Sequence, residues 1–82
     1  MAASRADIES WFEHGAELGA THLIVVCDTF DHEDYPVFVK PEQSSREVAA
    51  EYDGKNMQRI MEVYDLSMDK SAQLAEHRAF HY

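Results

Sequence analysis

The densest chemistry in the chain lies in Cys27-Asp28-Thr29-Phe30-Asp31-His32-Glu33-Asp34-Tyr35, which holds the carboxylates of Asp28, Asp31, Glu33 and Asp34 and one imidazole. Oxygen donors this close together suit a hard divalent cation, and a metal-dependent hydrolase built on them is one reading. The run lacks the DxDxDG spacing and the glycine of a calcium loop. Acidic side chains also fill turns by accepting from nearby backbone amides. A hairpin turn with solvated acids accounts for the segment better, so no metal ligand and no cofactor is assigned.

Two other constellations weaken on inspection. His77 and His81 stand four apart and would share a helix face, but without the HExxH context of a zinc helix. Capping of terminal carbonyls, or packing beside Phe80 and Tyr82, explains them more simply. Cys27 is the single cysteine. As a nucleophile it would need His22 or His32 as base, yet His22, five residues away on a strand, points to the opposite face. A small buried hydrophobe is the better account of Cys27. No catalytic residue is assigned.

Charge offers more. Sixteen acids oppose seven bases, a formal charge of −9, and residues 1–39 carry eight of the acids against Arg5 alone. Phosphate neutralisation is disfavoured by such a balance, so direct nucleic-acid binding is not expected. A basic protein partner, or solubility, fits it. Glu9, Glu13 and Glu17 repeat every four residues, like charges on one helix face that cost about 0.2–0.5 kcal/mol per neighbouring pair. The face is either a solvated exterior or, with Asp28, Asp31, Glu33 and Asp34, a surface that meets the basic partner. A reading from another class is an oligomeric binder that sequesters a small nucleotide signal. Its phosphate donors would be Arg46, Lys55, Arg59 and Arg78.

The elements that position these groups follow from pattern. Helix one runs from about Arg5 to Leu18, with Ser4 as N-cap, Asp7 completing a carboxylate capping box and Gly19 closing it. Ile8, Trp11, Phe12, Gly15 and Leu18 fall on one face at helical spacing. Thr21 to Phe30 is a strand with Leu23, Val25 and Cys27 on one side and Ile24 and Val26 on the other, which demands cover on both faces. Tyr35 to Lys40 is its hairpin partner, and Pro36 near its start suits a strand end or a sheet edge. Helix two follows with Ser44 and Glu47 as a capping box and Asp53-Gly54 as the stop. Met57, Ile60, Met61 and Tyr64 have helical spacing and predict a third helix. Ser67 caps a fourth carrying the small-residue stripe Ala72/Ala75/Ala79. The whole reads as a single α+β domain over residues 1–82, a two-stranded antiparallel hairpin with helices packed on it.

Length and composition bound the rest. Eighty-two residues, 45% hydrophobic and 28% charged, make one domain with roughly 3–5 kcal/mol of net core stability. An isolated hairpin is marginal in water, so a homodimer is expected, by strand pairing or through the alanine stripe. The lone cysteine argues against a disulfide framework, and the first residues lack the apolar stretch of a secretory signal. A cytoplasmic address is expected, with no membrane partner.

The segments Trp11-Phe12-Glu13-His14-Gly15, Gly19 to Phe30, Asp34-Tyr35-Pro36-Val37-Phe38-Val39 and Glu76-His77-Arg78-Ala79-Phe80-His81-Tyr82 together resemble small uncharacterised acidic proteins of tailed bacteriophages and prophages. The resemblance covers most of the chain and brings no activity or ligand. It implies a bacterial host cytoplasm and an accessory role, such as inhibition of a host enzyme or defence factor.

Overall fold

A computed structural model of the chain describes residues 4–30, 33–53, 57–75 and 79–82. Helix α1 spans Arg5–Leu18, strands β1 and β2 span His22–Asp28 and Glu33–Val39, and helix α2 spans Ser45–Tyr52. Strand β3 spans Gln58–Asp65, and a short helix α3 spans Lys70–Leu74. The three strands form one antiparallel sheet in the order β2-β1-β3. No helix among the described residues is long and apolar enough to cross a membrane.

The third strand corrects the two-stranded hairpin that the sequence predicts, since the segment expected to be helix three is β3. Its cause is a β-bulge. Val25 pairs with Glu62 and Val26 with Ile60, leaving Met61 as the extra residue. An alternating strand would put Ile60, Glu62 and Tyr64 on one face. The bulge instead sends Ile60 and Val63 to one core and Met61 and Tyr64 to the other. Three-residue spacing within each face imitates a helical stripe. Met57, counted as part of that stripe, is 59% exposed and lies outside both cores.

Strand β1 is apolar on both sides because each side is covered. Ile24 and Val26 pack with Val39, Val48, Ala49, Ile60 and Val63, beneath α2. Leu23 and Val25 pack with Ile8, Phe12, Tyr64 and Ala79, beneath α1. Ser4 and Asp7 form the expected capping box, and Gly19 ends α1 in the left-handed conformation at φ 77°. Gly15 brings α1 close to the sheet: a β-carbon there would stand 2.9 Å from Phe38 Cδ1 and from Leu66 Cδ1. Helix α2 starts after Ser44 without the side-chain cap that its sequence suggests.

The predicted fourth helix shrinks to five residues, capped by Asp69, whose carboxylate accepts from the Ala72 amide. The alanine stripe does not exist on it. Ala72 and Ala75 are exposed, whereas Ala79 is buried beyond the helix end. There the chain joins the sheet: the Val63 amide donates to the Ala79 carbonyl at 2.8 Å, and the His81 amide donates to the Val63 carbonyl at 2.9 Å. His81 therefore flanks the parallel Val63–Phe80 bridge on the outer edge of β3; His77, its expected partner on a helix face, lies outside the described residues.

Candidate functional site

The hairpin end of the sheet is built by three strand termini. Register places Glu33 and Gln58 on either side of Asp28, and Asp34 and Arg59 on either side of Cys27. Successive residues alternate faces, so Asp28, Glu33 and Gln58 share the α2 side of the sheet, and Cys27, Asp34 and Arg59 share the α1 side. Asp28 Oδ1 accepts from the Phe30 amide at 2.9 Å, a turn-forming contact. The Thr29 amide and hydroxyl both donate to the Met57 carbonyl, at 2.7 and 2.6 Å. These bonds tie the hairpin to the residue that enters β3. Met57 has φ 60°, a left-handed conformation that costs a residue with a β-carbon about 1–2 kcal/mol. Phe30, which follows Thr29 in the chain, is 71% exposed.

Burial, followed by the hydrogen bond and charge of Asp34, raises the Cys27 thiol above its ordinary range. It is protonated at neutral pH, which opposes a nucleophilic role. His22 lies at the other end of β1. Among the described residues no group of three His, Cys, Asp or Glu side chains is arranged to hold a metal ion. Asp31 and His32 lie outside the described residues.

The acidic residues proposed from sequence do not form one surface. Glu9 and Glu13 are both met by Lys70 of α3, at 3.5 and 3.0 Å, so the stripe is relieved by a cation from another element. Glu17 is exposed near the end of α1 that leads into the start of β1, whereas Asp28, Glu33 and Asp34 stand at the far end of the strands. The basic residues of the nucleotide reading separate too. The Arg46 guanidinium lies 5.0 Å over the Tyr82 ring, in a shallow pocket lined also by Ala49, Ala50 and Asp53. Arg59 is exposed on the sheet face away from α2. Lys55 and Arg78 lie outside the described residues.

Three polar arrangements were missed from sequence. Gln73 is 2% exposed and acts as a substitute backbone at the end of β3: its Oε1 accepts from the Asp65 amide and its Nε2 donates to the Asp65 carbonyl, both at 2.8 Å. Glu62 is buried and accepts from the Tyr64 hydroxyl at 2.6 Å. The third gathers around Asp65, whose Oδ1 accepts from the Ser67 amide and hydroxyl at 2.9 and 2.6 Å. His22 Nδ1 lies 2.9 Å from the Thr21 hydroxyl, and its buried Nε2, 3.9 Å from Asp65 Oδ2, has no hydrogen-bond partner among the described residues. Desolvation pushes the Asp65 carboxyl up, but the Ser67 bonds and the fields of His22 and His81 outweigh it, and the group sits below its ordinary range. Helical and strand periodicity contain no signal for such contacts, which depend on where individual side chains reach.

The chain matches no family model, no curated protein sequence and no solved structure.

Proposed function

We propose that this chain is a non-enzymatic acidic binding protein that engages a basic protein partner, in keeping with a phage accessory protein that inhibits a host enzyme or defence factor. The observation that carries the reading is the carboxylate set at the hairpin end, where Asp28 and Glu33 share one side of the sheet and Asp34 stands on the other. Carboxylates fixed on strand ends present a defined field, which speeds and orients the approach of a cationic surface. The α1 stripe contributes less to such a surface, because Lys70 engages two of its three members.

A labelled lysine–serine peptide titrated at low and raised salt tests the charge reading directly. Wild-type protein should bind it with an affinity that falls at least about tenfold as salt rises, since exposed charges are screened over a Debye length. Combined Asp28→Asn, Glu33→Gln and Asp34→Asn changes should remove most of the binding, and Glu9→Gln with Glu13→Gln should remove little. Equal loss from both sets, or binding insensitive to salt, overturns the assignment to the hairpin end. Cross-linked capture from bacterial lysate with wild type and the triple variant then identifies the partner.

A further inference from the structure

We infer that Phe30 and Met57 form the apolar anchor of that docking surface, and that its occupant is a protein segment presenting apolar side chains flanked by Lys or Arg. The inference rests on the acidic-partner reading and specifies its chemistry. Both residues are large and apolar, and both stand mostly in solvent, at 71% and 59% exposure. Thr29, next to Phe30 in the chain, donates both its amide and its hydroxyl to the Met57 carbonyl. Neither Phe30 nor Met57 contributes to the core on its side of the sheet. Carboxylates of Asp28, Glu33 and Asp34 stand on the adjoining strand ends. Binding energy at protein interfaces concentrates in a few central apolar side chains, ringed by polar groups that exclude water and orient the partner. An aromatic and a methionine next to strand ends that carry three carboxylates and Arg59 complement an apolar segment flanked by cations, and a net acidic chain repels a second copy of itself. Methionine adds adaptability to different partner shapes.

Two labelled peptides of equal length and charge test the inference, one with lysine and leucine at amphipathic helical spacing and one with each leucine replaced by serine. Wild-type protein should prefer the leucine peptide by about tenfold or more, a ratio expected of one or two buried anchors. Phe30→Ser with Met57→Ser should erase the preference and leave the weaker, salt-sensitive binding of the serine peptide intact. Met57→Gly separates docking from folding: glycine accepts φ 60° without strain, so this variant should melt no lower than wild type and still lose part of the preference. Binding of both peptides with the preference unchanged in the variants overturns the anchor and leaves the acidic reading standing. Failure of wild type to bind either peptide at low salt overturns both.

Discussion

Asp65 shows how much one side chain can do at a strand end. Its backbone is held by Gln73, its carboxylate accepts twice from Ser67, and the imidazoles of His22 and His81 add their fields. The folded pKa lies below the unfolded one, so folding favours the ionised form. Its stabilisation is therefore complete above the unfolded value, about 3.9 for Asp, and fades as pH falls through the folded value. Asp65→Asn should lower the urea midpoint at pH 7, and the gap to wild type should narrow by pH 3. A gap of constant size across that range would assign the loss to packing instead of charge. Gln73 and Glu62 belong to the same scale, and neither was legible in the sequence. A glutamine or glutamate between apolar residues looks the same whether solvent or a buried partner satisfies it. Only the meeting of α3 with the end of β3, and of Tyr64 with Glu62, reveals which.

At the scale of elements, local chemistry was legible wherever one signal acted alone. The Ser4–Asp7 box, Gly19 and the two-sided burial of β1 follow from capping and alternation, and the structure contains them. Strand β3 carries a helix-like pattern because Met61 is inserted at the bulge and shifts the period from two to three. The sequence predicts a longer fourth helix because Ala72, Ala75 and Ala79 keep a helical interval, whereas burial of Ala79 and its bond to Val63 hold the chain on the sheet edge. Gly15 gives the sharpest test of how α1 meets that sheet. Valine gains a few tenths of a kcal/mol over glycine in helix propensity. Its β-carbon, however, would stand 2.9 Å from Phe38 Cδ1 and Leu66 Cδ1, and its two γ-carbons need further space. Overpacking of this kind costs about 1–3 kcal/mol. Gly15→Val should therefore lower the melting temperature by roughly 5–15 °C in a domain of this size. A melting temperature equal to wild type would mean that α1 can lift from the sheet without cost.

For the whole molecule, the third strand changes the argument about self-association. A two-stranded hairpin needs outside cover, and that need was the ground for expecting a homodimer. Here the sheet has three strands with an apolar cluster on each face, and residues 79–81 bridge the outer edge of β3 at Val63. The remaining edge is β2, which contains Glu33, Asp34 and, at its middle, Pro36. A twofold contact between two copies of β2 would bring both prolines close to the axis. Two ladder donors are then missing where pairing should be strongest, and charged residues on an edge strand further oppose strand addition. Each copy also carries a formal charge of −9, so association would bring two strongly acidic surfaces together. The expected state at micromolar concentration is one 9.4 kDa chain. Light scattering at physiological salt decides it. If it gives twice that mass, Pro36→Val separates the possible contacts. Restoring the donor should tighten a dimer formed through β2 and leave unchanged one formed elsewhere, including any contact through the Phe30–Met57 tip.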